Sequence, residues 1–548
     1  MNIYRFLTLT LLLFTNTILF SNTAFGAKPL ATVSGTIADA ATQESLPARV
    51  HVRDDKGRWH LIHSDGGDQV HYRREVARLP NSPEVHTTLS AHPFRVQLPP
   101  GRYTFRVERG KEYLPIVRTI DVADQPVQLK FSLQRWINMS QRGWYSGDTH
   151  VHRSLDELPN VVMAEDINVA LPLSNWVTKS DTAPSQGDRS VATELKPRLI
   201  RVDDTHVIYP MNTEYEIFYV GDRSHTLGAV FVLNHKRPLT IGAPPVQPIA
   251  QWAREDGALL DLDKHSWPWS LMLVPVMKVD LFELSNNHVW QTPFGFHDWT
   301  VEMVPPYMEL ERTEDGQGLT EWGWINYGFQ TYYALLNSGY RLRVSAGTAS
   351  GVHPVQLGFG RVYVHLPDGF GYEDWMQGLD AGRSFVSTGP MLETRFGDYH
   401  AGETISPPDS TAYALKIVST ATSRKPLDRI EIVMNGDVIR TLSPENRLSK
   451  TGAFVTNVTE TINLDSSAWC AVRCFEADPK GRIRFAHTNP VHVLLPDKPL
   501  RPKKVEVQSL IDRMQAELIR NRDVIGPVAL DEYRQAMSAF QALLKSAR

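Results

Sequence analysis

The chain has 548 residues, of which 42% are hydrophobic and 22% charged, and its formal net charge is −4. This length exceeds what one hydrophobic core supports, so we expect three or four domains of about 100–200 residues each. The composition is that of an ordinary globular protein, and the near-neutral charge gives no indication of a nucleic-acid partner.

Residues 1–27 have the features of a secretory signal peptide. Arg5 precedes an apolar run over residues 6–20, and Ala24 and Gly26 are small residues at positions −3 and −1 of a cleavage site. The run is shorter than the roughly 20 residues that span a membrane. We therefore expect a secreted or periplasmic protein without an integral membrane domain after cleavage. An uncleaved membrane anchor is the alternative.

Residues 28–136 are predicted to form a β-sandwich. Short alternating runs, such as residues 48–52 and 127–133, are separated by turns rich in glycine and proline. The pattern resembles the carboxypeptidase-regulatory-like modules that precede catalytic domains in exported enzymes. Several histidines in this region lack ligand spacing, and we interpret them as surface or core residues. They are His51, His60, His63, His71, His86 and His92.

Between residues 143 and 390, strand-like runs alternate with helix-like runs, which is the βα pattern. The predicted helices are residues 158–164, 248–256, 331–338 and 372–381. The predicted strands include residues 167–173, 257–262 and 341–346. In α/β barrels the chemistry lies at the carboxyl ends of the strands. Histidines follow several of these strands, which indicates a functional site at that face.

The segment Gly147-Asp148-Thr149-His150-Val151-His152 gives the first indication of a metal site. On an extended strand, side chains two residues apart project from the same face, so His150 and His152 can share one cation. Neutral imidazole binds Zn, Fe, Mn or Ni, and Asp148 is placed to orient a ligating ring. The alternative is a surface strand with two unrelated histidines.

With the preceding Gly143-Trp144-Tyr145-Ser146, this segment resembles the PHP (polymerase and histidinol phosphatase) superfamily, most closely its CehA/McbA-like metallohydrolase branch. The resemblance covers residues 28–497. It implies a multidomain α/β protein with a distorted (β/α)7 barrel at residues 137–390, flanked by β-sandwich-like modules at residues 28–136 and 391–497. It also implies a hydrolase that holds one to three metal ions.

The resemblance implies metal ligands at His150, His152, Glu214, His225, His265 and His353. The chain departs from the family pattern at Trp176, which stands where the second strand usually ends in Thr-Asp-His, and at Ala349, which replaces the aspartate of the last motif. These losses leave too few donors for three ions. We therefore expect one or two divalent ions, with zinc first and Mn or Fe as alternatives.

A further set of residues is predicted to bind substrate or to hydrogen-bond the metal ligands. These residues are Asp148, Lys264, Glu283, Asn286, Asn287 and His288. Lys264 is a candidate electrophile towards a substrate oxyanion, although a solvated lysine is the favoured interpretation. No general acid or other catalytic residue is assigned from the sequence.

Residues 391–497 return to strand patterns, with an Asn-Gly hairpin turn within residues 430–437. The two cysteines, Cys470 and Cys474, are four residues apart on a predicted strand, about 13 Å, which exceeds the reach of a disulfide. They are predicted to be free buried thiols. In the tail, residues 498–548, apolar residues at helical spacing predict a helical hairpin. It packs on its own barrel or on a partner subunit of a homo-oligomer.

Three functions follow from these patterns. The first is an exported metal-dependent hydrolase whose metal-bound hydroxide attacks a phosphoester, carbamate or ester in a small-molecule or polymer substrate. The second is a degenerate barrel that binds an envelope component or glycan without catalysis. The third is a structural envelope protein that assembles through the C-terminal helices.

Overall fold

The structure is a computed structural model that describes residues 30–76, 79–186, 195–409, 412–478 and 481–548. The predicted signal peptide lies outside these ranges. The described chain is a multidomain, sheet-rich α/β protein, as the sequence predicts, and its described residues form seven α-helices. None of its described helices combines the length and the hydropathy required to cross a membrane.

The N-terminal part consists of strands. They are β1 (Ala31–Asp39), β2 (Ala48–Asp54), β3 (Trp59–His60), β4 (His63–Ser64), β5 (Gln69–Val76), β6 (Leu79–Leu89), β7 (Phe94–Leu98), β8 (Gly101–Glu108), β9 (Ile116–Val122) and β10 (Val127–Leu133). One sheet has the order β10-β1-β7-β4 and a second has the order β5-β6-β2-β8-β9, with β3 paired to β2. Phe94, Phe105 and Phe131 lie in one core with ring centroids 6.3–6.4 Å apart.

The middle part combines strands and helices, and seven consecutive strands over residues 169–233 have no helix between them in the described residues. Its strands are β11 (Trp144–Val151), β12 (Val169–Pro172), β13 (Asn175–Lys179), β14 (Ser185–Gln186), β15 (Ile200–Arg201), β16 (Val207–Ile208), β17 (Thr213–Val220), β18 (Arg223–Leu233), β19 (Leu259–Leu262), β20 (Leu281–Ser285), β21 (Arg343–Ala346), β22 (Arg361–His365) and β23 (Ser384–Ser387). Its helices are α1 (Leu158–Glu165), α2 (Gln247–Asp256), α3 (Ser270–Met277), α4 (Glu321–Asn337) and α5 (Tyr372–Asp380). Helices α1, α2 and α5 fall close to the predicted bounds, whereas α4 begins ten residues before the predicted start at 331 and α3 was not predicted.

The C-terminal part returns to strands and ends in two helices. The strands are β24 (Met391–Phe396), β25 (Thr404–Ile405), β26 (Tyr413–Ser423), β27 (Leu427–Met434), β28 (Asp437–Leu442), β29 (Arg447–Leu448), β30 (Phe454–Leu464), β31 (Ala468–Glu476), β32 (Phe485–Thr488) and β33 (Val491–Val493). The helices are α6 (Lys504–Asn521) and α7 (Pro527–Leu544). Cys470 and Cys474 are buried free thiols on β31, as predicted.

The strands assigned to one barrel by sequence divide between two sheets. A seven-stranded sheet has the order β14-β13-β17-β18-β19-β20-β21, whereas β16, β12, β11, β22 and β23 belong to a twelve-stranded sheet. The two sheets meet beside β11, where the Ala349 amide donates to the His150 carbonyl at 2.7 Å and the His152 amide to the Ser350 carbonyl at 2.8 Å. The segment after β21 therefore reaches the end of β11.

The twelve-stranded sheet also crosses the domain boundary expected at residue 390. Strand β23 pairs with β32, and the sheet continues through β31, β27 and β28 of the C-terminal part. The physical reason is that β23 would otherwise be an edge strand with unpaired backbone groups, and β32 satisfies them. The sequence pattern locates the strands on both sides of the boundary but gives no sign of this pairing.

The tail packs on its own chain. Helices α6 and α7 lie against each other and against α3, and their apolar faces place Met514, Tyr533 and Phe540 in the main core. Glu532 on α7 accepts from the amides of Val246 and Gln247 at 2.8–3.0 Å, which caps the start of α2. The helical tail is thus part of the same packed body as the α/β sheets.

Replacing a buried tail residue is expected to destabilise the protein. The Phe540→Ala substitution removes a fully buried ring and leaves a cavity, so it should lower the free energy of unfolding by about 3–5 kcal/mol. Val528→Ala on the same helix is the matched control, because Val528 is 63% exposed. Urea unfolding followed by circular dichroism measures both. An unchanged midpoint for Phe540→Ala would contradict this packing.

Candidate metal centre

Strand β11 carries His150 into the interior, and His152 follows directly after its last residue, Val151. All residues of β11 are buried, because it lies between β12 and β22 and is covered on both faces. His150 and His152 project to the same side, as their spacing predicts, and their Nε2 atoms are 3.2 Å apart. Gly347 contacts His150 so closely that a side chain at that position would collide with the His150 Cβ.

A third donor comes from the start of β17. The Glu214 Oε2 is 3.2 Å from the Nε2 of His152, and His150, His152 and Glu214 have donor atoms within 4.8 Å of one another. Ligands held about 2.0–2.1 Å from a tetrahedral ion are about 3.3–3.4 Å apart. The observed spacings between these nitrogen and oxygen atoms are therefore close to those of a tetrahedral metal site.

The other nitrogen of His150 faces two carboxylates. Its Nδ1 is 3.2 Å from Oε2 of Glu283 on β20 and 3.7 Å from Oδ1 of Asp263, which follows β19. A carboxylate that accepts from Nδ1–H fixes the tautomer and leaves the Nε2 lone pair for a metal ion. Glu283, expected to contact substrate or a ligand, is thus placed to orient a ligating imidazole.

The carboxylates of this site are crowded and buried. Burial raises the pKa of Glu214 to about 8, of Glu216 to about 8 and of Asp261 to about 7, and it raises the pKa of Glu283 well above its usual value. Buried oxygens of Glu214, Asp263 and Glu283 accept no hydrogen bond from the described residues. Such a set of acceptors fits a divalent cation, which supplies the missing charge and the missing bonds.

Lys264 is a buried cation within this cluster. It is 3% exposed, its ammonium contacts Asp263, and it donates to Glu216 at 3.3 Å. Burial lowers its pKa, but the two carboxylates outweigh that effect and hold the pKa above its usual value. The favoured expectation of a solvated lysine is therefore wrong, because the loop after β19 turns this side chain inward.

Asp148 supports the site through the backbone. Its carboxylate accepts from the His150 amide at 3.1 Å, from the Thr348 amide and hydroxyl at 3.2 and 2.6 Å, and from the Gly358 amide at 2.9 Å. Burial raises its pKa to about 6, and these bonds oppose that rise. Asp148 therefore ties the loop after β21 to the strand that carries His150, and it does not orient the ring.

His225 and His265 are not part of this group. His225 lies near the start of β18, whereas Glu214 pairs with Phe231 on that strand, six residues away, about 20 Å along the strand. Its Nε2 contacts Asn521 Oδ1 at 2.8 Å. His265 follows the end of β19 and packs among Phe282, Trp324 and Tyr327.

The remaining predicted residues lie on the loops around the site. The His288 ring stacks on Phe296, and the His353 ring lies 5.4 Å from Trp290. Both imidazoles are near enough to His150 to help hold its pKa well below the usual value, after the larger effect of burial. Asn286 contacts the His265 ring at 3.4 Å, and the Asn287 carbonyl accepts from Trp290 at 2.6 Å. Neither His288 nor His353 belongs to the groups of donors that lie within 4.8 Å of one another in the described residues.

Asp263, Asp261 and Glu216 are site residues that the sequence interpretation missed. Asp261 accepts from Ser345 at 2.8 Å and lies beside Thr149. Strand periodicity could have indicated these residues, because side chains two positions apart share a face. Asp261 and Asp263 are paired in this way at the end of β19, and Glu214 and Glu216 on β17. A separate group, His51, Glu84 and His86, also lies together in the N-terminal part, where no ligand spacing was expected.

Trp176 stands at the edge of the site. It pairs with Glu214 across β13 and β17, and its ring lies 5.5 Å from the His152 ring. The indole thus fills the place beside His152. Ala349 has a left-handed backbone, with φ of 50°, and its amide holds the His150 carbonyl. Neither side chain supplies a metal-ligating atom at these two positions.

One solved structure is similar to the chain, a two-domain protein from Bacteroides vulgatus that contains a predicted PHP-like metal-dependent phosphoesterase. The two chains are 10% identical, and the match covers 65% of this chain and 93% of that chain with a TM-score of 0.29. A TM-score of this size does not establish a common fold. Neither a family model nor a curated protein sequence matches the chain.

Neutralising Glu283 is expected to weaken metal binding without removing a ligand. The Glu283→Gln substitution keeps the size of the side chain but removes the charge next to His150 Nδ1, so metal affinity should fall about 10–100-fold. Competition with a chromophoric chelator measures the affinity. Glu309→Gln makes the same change on an exposed residue and should have no effect. Equal affinities of the two variants would show that Glu283 does not orient His150.

Proposed function

We propose that this protein is a metal-dependent hydrolase whose centre is built from His150, His152 and Glu214, with Asp263 and Glu283 behind His150. The observation that carries the proposal is the convergence of two imidazoles and three carboxylates, all buried, with several oxygen atoms that accept no hydrogen bond. A purely structural cluster of this kind would leave the interior with uncompensated polar groups. Bound metal resolves that imbalance.

The donor set suits one ion, with His150 Nε2, His152 Nε2 and Glu214 Oε2 as its ligands. Glu216 and Asp263 lie next to Glu214, and their carboxylate oxygens could hold a second ion. Mixed imidazole and carboxylate ligands favour Zn, with Mn or Fe as alternatives. A divalent ion in such a site polarises a phosphoryl or carbonyl oxygen and lowers the pKa of water enough to give a nucleophile at neutral pH.

The chain's own residues have separate parts in this proposal. Glu283 holds the proton on His150 Nδ1, and Asp148 fixes the backbone on which His150 stands. Lys264 keeps part of the carboxylate charge neutral and so limits the repulsion between Asp263 and Glu216. The His152 side chain is 8% exposed, against 0–1% for His150, Glu214, Asp263 and Glu283, so substrate would approach past His152 and Trp176.

The substrate class proposed is a phosphoester, carbamate or ester, in a small molecule or a polymer. His288, His353, Asn286 and Asn287 lie on the surrounding loops and are the proposed substrate contacts. We also propose that residues 1–27, which resemble a signal peptide, direct export of the protein. We further propose that the C-terminal helices form a homo-oligomer through an outer face that exposes Val505, Ile519 and Val528.

The paired histidine variant tests the proposal. His150→Ala combined with His152→Ala should abolish both metal content and turnover, because two of the three closest donors are lost. Elemental analysis of the purified full chain, coupled to a screen of phosphoester and aryl-ester substrates, measures both. His63→Ala with His71→Ala is the matched control: these rings have the same centroid separation of 5.2 Å, but both residues are exposed.

The two readouts separate the competing functions. The metal centre is supported if the parent protein and the control variant contain metal and the site variant does not. The hydrolase function is supported if hydrolysis follows the same pattern. A parent protein that binds no transition metal would refute the proposal and favour a degenerate barrel that binds an envelope component or glycan. Turnover that survives in the site variant would also refute it.

A further inference from the structure

A cavity of about 880 Å³ lies where the three parts of the chain meet, and none of the candidate metal ligands lines it. We call it the junction cavity. Lys111, from the N-terminal part, reaches it from the loop after β8. Arg361, at the start of β22, comes from the middle part, and Arg424, directly after β26, comes from the C-terminal part. Each part of the chain therefore contributes a cationic side chain to the lining of the same cavity.

Many of the charges around the cavity are balanced by a neighbour. On the N-terminal side, Arg49 forms ion pairs with Glu108 and Glu165, and Arg106 pairs with Glu108 at 2.6 Å. These pairs are local and leave no net charge to attract a ligand.

On the C-terminal side three cations share two carboxylates. Arg482 and Arg484 lie 2.7 and 3.3 Å from Glu321, and Lys425 lies 2.8 Å from Asp478. Glu321 and Asp478 are thereby engaged, and they do not balance the charge of the cations that remain.

Lys111, Arg361 and Arg424 have no carboxylate partner among the described residues. The Lys111 ammonium donates to the Thr388 carbonyl at 2.8 Å and lies 4.5 Å from the Phe359 ring centroid. The Arg361 guanidinium donates to backbone carbonyls at 2.7–3.1 Å. Lys111 is 6% exposed and Arg361 is 1% exposed. Carbonyl dipoles and a ring face solvate these groups but carry no countercharge.

Mutual repulsion is evident in the ionisation of Lys111. Burial, followed by the nearby guanidinium groups of Arg361 and Arg424, holds the pKa of Lys111 well below its usual value. The carboxylate of Glu476 opposes this effect, and it also accepts from Ser423 at 2.6 Å. One carboxylate against three cations leaves an excess of positive charge, and because Lys111 and Arg361 are buried this excess is costly unless an anion enters.

We propose that the junction cavity binds a small oxyanion of the phosphate or sulfate class, held between Lys111, Arg361 and Arg424. Guanidinium and ammonium groups are the usual partners of such anions, and charge-assisted hydrogen bonds are the strong ones. The bound anion contacts all three parts of the chain at once. It therefore acts as a removable link between them, separate from the hydrolytic site.

Thermal unfolding of the metal-free full chain tests the proposal. Inorganic phosphate and inorganic sulfate are titrated separately in EDTA, with chloride used to keep the ionic strength constant. Binding to the folded state raises the melting temperature with a saturating dependence on anion concentration. Lys111→Met and Arg424→Gln should each weaken the apparent affinity about tenfold or more, because each removes a charged donor.

Matched controls separate site binding from general charge effects. Lys130→Met and Arg440→Gln remove the same charges from exposed positions on β10 and β28, and the full anion response should be retained in both. Should Lys111→Met fail to fold, Arg424→Gln decides, since Arg424 is only half-buried and makes no ion pair with a described residue. Response to only one of the two anions identifies that anion. An equal shift in parent and site variants, or no saturable shift in the parent, overturns the proposal.

Discussion

The concentration of buried carboxylates around His150 is the constraint on which the rest of the site depends. Glu214, Asp261, Asp263 and Glu283 lie in the interior at 0–1% exposure, and Lys264 is the cation that the described residues place among them. This repulsion lowers stability, and strong packing elsewhere offsets it, as a bound cation would. Strands β11, β19 and β20 supply that packing, because each is almost wholly buried and carries the acidic residues on a stiff scaffold.

The parts of this site that the sequence predicts are those governed by local periodicity. Two histidines two positions apart share a face in an extended chain, and the structure brings their Nε2 atoms within 3.2 Å. The helical period of apolar residues likewise explains why helices such as α1 and α5 fall within a residue of the expected bounds. Local periodicity also identifies the cysteine strand and the C-terminal helices.

The parts that could not be predicted depend on where a strand ends and which strand lies beside it. His265 follows Asp263 at strand spacing, but β19 ends at Leu262, so the chain turns and directs His265 among aromatic rings. His225 is close to Glu214 in sequence, but the β17–β18 hairpin separates them. Pairing of β23 with β32 is likewise a property of the assembled sheet, because the residues of each strand do not by themselves determine which strand it pairs with.

The sheet that crosses residue 390 bears on how this protein can change over evolution. In many multidomain proteins a linker lets modules be gained, lost or exchanged, because each keeps a complete surface when it is separated from its neighbour. Here the hydrogen bonds between β23 and β32 make the middle and C-terminal parts share one continuous backbone ladder. A gene fusion or deletion at that point would leave β23 and β32 as edge strands with unpaired backbone groups. The α/β part and the strands that follow it are therefore inherited as one unit.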